Sequence, residues 1–292
     1  HLSEGNLIIL ESTVPPLTCR NVMTPLLEKS GLRVGTNIHL AHCPERILPG
    51  DIFHEIIHND RIIGAADSVS RDMAANVYSS FVKGELLLTD DITAEFVKLI
   101  ENTYRDVNIA LANELSSVAQ SLQIDPRGAI NLANRHPRVN ILAPGIGVGG
   151  HCIPIDPWFI QQVDEQNSRL INTARQINDE MPGKIVSQIK TATQNINEPR
   201  IVAIGASYKA NTADIRESPS IEIVRILRSE GYKVEHFDPL VDGMHFPTTM
   251  TNACANADCL VILVEHKSIL RELDQHEQDI LNALNTPLIL RF

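Results

Sequence analysis

The stretch "DDITAEFVKLIENTYRDVNIALANELSSVAQSLQ", residues 90–123, constrains the fold more than any other, because it keeps helical periodicity for more than thirty residues. It predicts one long helix with Thr93 as its cap, and the rest of the chain must be arranged around that rod. Before it, "GNLIILESTVPP" reads as a buried strand entering a proline-rich turn, "TCRNVMTPLLEKSG" as an amphipathic helix stopped by Gly31, and "NIHLAHCPERILPG" as a further strand. After it, "DPRGAINLANR" predicts a helix interrupted by Pro137, and "PWFIQQVDEQ" and "SRLINTARQINDEMPGKIVSQIKTATQNI" predict two more. From Pro199 the pattern changes to strand "RIVAIGASY", helix "SPSIEIVRILRSEG", strand "KVEHFDP", a short helix around 250–256 and strand "ADCLVILVE". Alternation of this kind predicts a parallel sheet with right-handed crossovers. The expected class is therefore α/β in three parts: a partial α/β part over 1–89, an all-helical part over 90–197 and a second α/β part over 198–292.

Charge and cysteine usage narrow the partners. With 36 acidic against 25 basic residues the chain carries a net charge of −11, so nucleic acid is not an expected partner, and a polyanionic ligand needs a local cluster of Arg and Lys. Apolar runs such as "LVILVEH" and "NLIILEST" fall far short of the ~20 residues of a membrane helix, and no signal segment is read at the start. The five cysteines, at 19, 43, 152, 254 and 259, form no C-x-x-C pair. Their odd number and scatter fit a reducing compartment, so a cytoplasmic location and no metal site are expected.

Four segments carry residues suited to chemistry. On the long helix, Lys98, Asn102 and Arg105 stand at i, i+4 and i+7 and share one face. A solvated polar face is the ordinary reading of such a stripe. Here Leu99, Ile100, Val107 and Ile109 around it argue that the face is covered, and a covered Lys, Asn and Arg must find partners, an anionic substrate among them. In "NRHPRVN", Arg135, His136 and Arg138 flank a proline at a helix end, either as exposed loop charges or as a donor set for a sugar or phosphate. "GIGVGGHCIPIDP" has the spacing of a dinucleotide fingerprint, but helices precede it and a proline-interrupted segment follows, so that reading is rejected. Its glycines let backbone approach a ligand closely, and Cys152 emerges from them with His151 adjacent and Asp156 four residues on, as a reactive thiol or as a buried inert one. In "GASYKANTADIRESPS" a strand end meets a helix start, where anions settle, and Lys209 and Arg216 are the natural phosphate contacts.

Taken in order, "ESTVPP", "CPERILPG", "EFVKLIENTYRDVNIALANE", "NRHPRVN", "GVGGHCIPIDPWF" and "YKANTADIRESPS" make the whole chain resemble the nucleotide-sugar 6-dehydrogenases, the UDP-glucose/UDP-mannuronate group. The resemblance implies a partial Rossmann-like part that binds NAD, a central helical domain dimerising through the long helix over 93–122, and a C-terminal Rossmann-like domain for UDP. It further implies Cys152 as catalytic thiol with Asp156 as its polar partner, and Lys98 and Asn102 as the pair steadying negative charge on the sugar C6 oxygen. Glu45 matches the carboxylate of the Pro-Glu segment, and Thr13 a residue beside the nicotinamide and the catalytic water. Arg46, Ile47, Arg105, His136, Arg138, Gly149, Tyr208 and Lys209 match substrate contacts, and Arg216 an NAD contact. The chemistry implied is oxidation of a UDP-sugar at C6 in two hydride transfers, through a thiohemiacetal and a thioester on Cys152. "CPERILPG", "RDVNIALANELS" and "ANRHPRVNI" point to UDP-N-acetyl-D-mannosamine as the sugar. UDP-N-acetylglucosamine, UDP-glucose and a non-catalytic nucleotide-sugar-binding role are the alternatives. UDP-glucose enzymes tend to show a second glutamate where this chain has Pro49. Two departures stand out: the family's dinucleotide fingerprint, due before residue 1, and the continuation of "PLILRF" are absent. The expectation is a truncated chain that binds NAD poorly and turns over little or not at all.

Overall fold

The computed structural model of the chain describes residues 2–47 and 51–292; Pro49 lies outside them. The chain divides into two compact units, His1–Tyr104 with Ile155–Asn172, and Arg105–Pro154 with Thr173–Phe292.

The first unit is built on a four-stranded sheet in the order β1 (Leu7–Leu10), β2 (His39–His42), β3 (Arg61–Gly64), β4 (Leu86–Thr89). β1 pairs parallel with β2 and β3 with β4, but β2 and β3 run antiparallel, joined at His42 and Gly64. This sheet is therefore mixed. The predicted helix after β1 begins as a π-helical turn, Cys19–Met23, and continues as α1 (Thr24–Glu28) before Gly31, at φ +86°, turns the chain. Between β2 and β4 stand two helices that hydrophobic pattern alone did not single out, α2 (Ile52–His58) and α3 (Ser68–Ser79). The latter is capped by the Asp67 carboxylate on the Ser70 N–H. Ala41, Cys43, Ile63, Ala65, Ala74 and Tyr78 form the core between this helix and the sheet.

The long helix is observed as α4, Asp91–Ser121. Its start is closed by Asp90 and not by Thr93: the Asp90 carboxylate accepts from the Thr93 N–H at 3.0 Å and from its hydroxyl at 2.6 Å. An acid is the better cap because it takes both donors and carries charge favoured by the helix dipole. α5 (Pro126–Ala133) and α6 (Asp156–Val163) follow, and α7 (Arg169–Thr193) runs on through Pro182.

The second unit contains a sheet ordered β6 (Lys233–Phe237), β5 (Arg200–Ile204), β7 (Cys259–Ile262), β8 (Ile289–Arg291), every pair parallel. Successive side chains along a strand face opposite ways, and both faces here are covered. Ile201, Ala203, Cys259 and Val261 pack with α7 and with α8 (Pro219–Ser229). Val202, Ile204, Leu260 and Ile262 pack with α9 (Met250–Ala253) and α10 (Lys267–Ala283). The chain leaves β5 to one side for β6 and returns to the other side for β7, so the carboxyl ends of β5 and β7 frame a topological switch point, the usual ligand position in such sheets. No helix among the described residues is long and apolar enough to cross a membrane.

Candidate functional site

In the second unit the site is built around the loop from Pro144 to Pro154. No strand or helix is formed from Asn134 through Ile155, which leaves the glycine spacing without the strand and helix of a dinucleotide fingerprint. The loop is instead stitched down by side-chain amides. Asn108 on α4 accepts from Leu142 N–H (2.9 Å) and donates to Asn140 carbonyl (2.8 Å), and Asn113, one turn and a half further on, accepts from Gly145 N–H at 2.8 Å. Asn113 also donates to Asn178 on α7 (3.1 Å), which donates to the Asp106 carboxylate (2.9 Å); Arg175 completes the network on Asp106 at 2.5 Å and pairs with Asp179. Asp106, Asn113, Arg175 and Asn178 are each at most 2% exposed. Burial pushes the Asp106 carboxyl up, and the Arg175 guanidinium and the Asn178 amide work against that push.

The glycine-rich turn then sits on the segment after β5. The Gly150 N–H donates to the Arg216 carbonyl (3.1 Å). A Cβ at Gly149 would lie 2.5 Å from the Glu217 carbonyl oxygen and 2.8 Å from Tyr208 Cβ, and Gly150, at φ +85°, lies under the Tyr208 ring. Close backbone approach is thus required at Gly149, though toward the protein's own Tyr208 segment. Cys152 is half-buried, with Sγ 3.1 Å from Nδ1 of exposed His151. The other four thiols are all buried. Burial pushes Cys43, Cys254 and Cys259 up to about 12, and burial together with Glu95 pushes Cys19 higher still.

The facing segment is itself anchored. Asp238, fully buried at the end of β6, accepts from the Ala206 (2.6 Å) and Ser207 (3.2 Å) N–H groups and from His266 Nε2 (2.9 Å); His266 Nδ1 accepts from the Asn211 N–H at 2.8 Å. Because Nδ1 accepts, the ring proton is on Nε2, and this serine–histidine–aspartate grouping is a clamp and not a base relay. Burial opposes the charge on Asp238, but the hydrogen bonds from His266 and from the Ala206 and Leu240 N–H groups outweigh it and hold the carboxyl at about 2. Lys209 is exposed beside the clamp, and Tyr208 is half-buried. Arg216 clasps Asp214 with Nε at 3.0 Å and Nη2 at 2.6 Å. Arg105 is half-buried, whereas His136 and Arg138 are exposed, with the Arg138 N–H donating to His136 Nδ1 at 3.3 Å.

In the first unit, Asn102 on α4 donates to the Asp156 carboxylate at the start of α6, and both are buried. Lys98 is half-buried one turn earlier and makes no ion pair among the described residues. Of the stripe on α4, Asn102 is buried and Lys98 and Arg105 are half-buried, while Ile100 beside it is exposed. Thr13 follows the carboxyl end of β1 and is half-buried. Glu45 folds back so that its Oε1 accepts from the N–H groups of Arg46 (2.6 Å) and Ile47 (2.7 Å), and its Oε2 lies 3.4 Å from Arg61. Arg46 reaches Glu101 at 2.7 Å. Glu95, 1% exposed, accepts from the Leu17 (2.6 Å) and Cys19 (2.7 Å) N–H groups and fixes the end of the Thr13 segment.

Sequence reasoning missed Glu95, Asp106, Asn113, Arg175 and Asn178. The available signal was polar residues inside apolar helix faces, with Arg175 and Asn178 at i and i+3. No group of three or more His, Cys, Asp or Glu among the described residues is arranged to hold a metal ion.

Comparison with known proteins is consistent along the chain. Residues 1–82 match the NAD binding domain of the UDP-glucose/GDP-mannose dehydrogenase family, 92–180 its central domain and 202–290 its UDP binding domain. A Methanocaldococcus jannaschii protein named UDP-N-acetyl-D-mannosamine dehydrogenase is 48% identical over 267 residues, covering 91% of this chain and 61% of that protein. A Campylobacter jejuni protein of the same name is 41% identical over 286 residues, covering 92% of this chain and 70% of the relative. The solved UDP-N-acetylmannosamine dehydrogenase of Pyrococcus horikoshii superposes with a TM-score of 0.93 at 40% identity, covering 99% of this chain and 69% of that one. This chain thus spans between about three-fifths and about seven-tenths of the length of these relatives.

Proposed function

The chain belongs to the UDP-glucose/GDP-mannose dehydrogenase family, and we propose that it serves the NAD-dependent oxidation of UDP-N-acetyl-D-mannosamine to UDP-N-acetyl-D-mannosaminuronate. The observation that carries this reading is the setting of Cys152: one half-exposed thiol, on a loop held by a buried network, among four thiols that burial keeps protonated. The names borne by relatives at 41–48% identity support the choice of sugar. In this reading residues 1–89 serve NAD, 90–197 carry the thiol and 198–292 hold UDP, and the protein works in the cytoplasm.

The residues present fit NAD in part. Thr13 offers a hydroxyl just past the carboxyl end of a parallel strand, and Arg216 keeps a guanidinium 62% exposed while anchored on Asp214. NAD, when bound, supplies the hydride acceptor for both oxidations. The chain's own residues do the rest. Cys152 adds to the C6 aldehyde as a thiohemiacetal and leaves from the thioester when water attacks, a role suited to sulfur as both nucleophile and leaving group. Lys98 and Asn102 steady the C6 oxyanion, with Asp156 orienting the Asn102 amide. Glu45 and Thr13 position water. Arg46, Ile47, Arg105, His136, Arg138, Gly149, Tyr208 and Lys209 bind the UDP-sugar. A homodimer through α4 is supported by its exposed apolar residues Phe96, Ile100, Leu111, Leu115 and Val118, spaced at helical intervals.

Calorimetric titration of the chain with UDP, UDP-N-acetylmannosamine and UDP-glucose tests the reading. The N-acetylhexosamine nucleotide is expected to bind more tightly than UDP-glucose. Preference for UDP-glucose would overturn the sugar assignment, and no binding of UDP at all would overturn the family function for this chain.

A further inference from the structure

Cys152 and His151 are neighbours in sequence, yet their reactive atoms face each other, Sγ to Nδ1, at 3.1 Å. Adjacent side chains on extended backbone point apart. Here the turn after Gly150, pinned by the Gly150 N–H on the Arg216 carbonyl, brings them to one side. The facing segment places two charges within electrostatic reach of this pair, the Asp214 carboxylate and the Arg216 guanidinium. Asp214 and Arg216 are in turn locked to each other by the forked pair at 2.6–3.1 Å. A carboxylate and a guanidinium on one segment are the kind of charges that suit a proton transfer from a thiol to an imidazole.

We propose that His151 is a catalytic residue: its Nδ1 takes the proton from Cys152 and so generates the attacking thiolate. The S–H bond breaks, its electron pair stays on sulfur, and the proton moves to Nδ1, so net charge is unchanged. This requires the neutral ring to carry its proton on Nε2, which the exposed position of His151 leaves open to water. When the thiolate adds to a carbonyl carbon, the C–S bond forms, the C=O π pair moves to oxygen, and the imidazolium holds the proton that the oxyanion can take back. The assignment rests on the dehydrogenase reading for its substrate, but the proton transfer belongs to the chain alone. Besides Asp214 and Arg216, the titratable groups on the facing segment are Tyr208, whose ring covers Gly150, and exposed Lys209 and Glu217.

The test is the pH dependence of Cys152 alkylation by iodoacetamide in the full chain, read by mass spectrometry of the Cys152 peptide, for wild type, His151→Gln and Asp214→Asn. Four buried thiols leave Cys152 as the site expected to react near neutral pH. His151→Gln is expected to move the inflection upward by a pH unit or more, which slows alkylation at pH 7 about tenfold; Asp214→Asn is expected to move it in the same direction by less. A His151→Gln protein with unchanged melting temperature and an unchanged alkylation profile overturns the assignment. UDP titration of the same samples separates the two claims. Retained UDP binding with an unchanged profile removes the base while leaving the dehydrogenase reading. A shifted profile without UDP binding keeps the base and removes that reading.

Discussion

The Glu45–Ile47 segment of the first unit and the Cys152 loop of the second are held in opposite ways. In the second, the Cys152 loop and the segment facing it rest on groups sealed from water: Asp106, Asn113, Arg175 and Asn178 behind the loop, and Asp238 with His266 beneath the segment, all at most 2% exposed. In the first, Arg46 and Glu101 pair with side chains 30% exposed, and Glu45, 44% exposed, reaches Arg61 at 3.4 Å. A sealed network loses a great deal when one member is removed, since the partner left behind is a buried polar group without compensation. An ion pair at the water's edge trades its partner for solvent and salt. The Cys152 loop thus rests on groups that water cannot replace, whereas the segment carrying Glu45, Arg46 and Ile47 rests on pairs that water can replace.

The contrast can be broken at several points. Arg175→Ala leaves Asp106 buried and removes its ion partner, and the expected loss is about 3–5 kcal/mol in urea unfolding, well beyond that of any single change around Glu45. Acidification should reach the Asp238 clamp next. Its folded carboxyl lies at about 2 against a usual 3.8, so its stabilisation, about 2 kcal/mol, is present above about pH 4 and lost as pH falls through 2. Thermal melts from pH 5 to 2 on wild type and Asp238→Asn check this: the wild type should lose stability over that window and the variant, weaker at pH 5, should lose less. Arg46→Ala is expected to cost at most about 1 kcal/mol, and less still in high salt. A loss at Arg46 equal to that at Arg175 would erase the distinction between the two segments.

Much of this was written in the residues, but unevenly. The long helix, the helical middle and the parallel second sheet follow from periodicity, because a 31-residue helix and fully buried strands leave strong patterns. The first unit was harder. α2, β3, α3 and β4 are each short, and β4 reads "LLLT" with two exposed positions, so neither alternation nor a continuous buried run marks it. Asp90 took the cap expected of Thr93 because both are capping types three residues apart, and only geometry tells which one accepts. The Lys98–Asn102 stripe was legible because its spacing implies a shared face. The Asn113–Asn178–Asp106–Arg175 network was not, since it joins residues as much as 72 positions apart through hydrogen bonds that no local pattern records. The contact between His151 and Cys152 is similarly silent: adjacency in sequence says nothing of where two side chains point.

A covalent bond between Cys152 and C6 of a UDP-linked N-acetylhexosamine, as proposed, can be detected by alkylating the chain with iodoacetamide in the presence of saturating UDP-N-acetylmannosamine or its C6 aldehyde. The aldehyde is expected to protect Cys152 markedly more than the alcohol does, because only the aldehyde can occupy the sulfur as a thiohemiacetal. Equal protection by both at matched occupancy, or none by either while UDP binding persists, would contradict it.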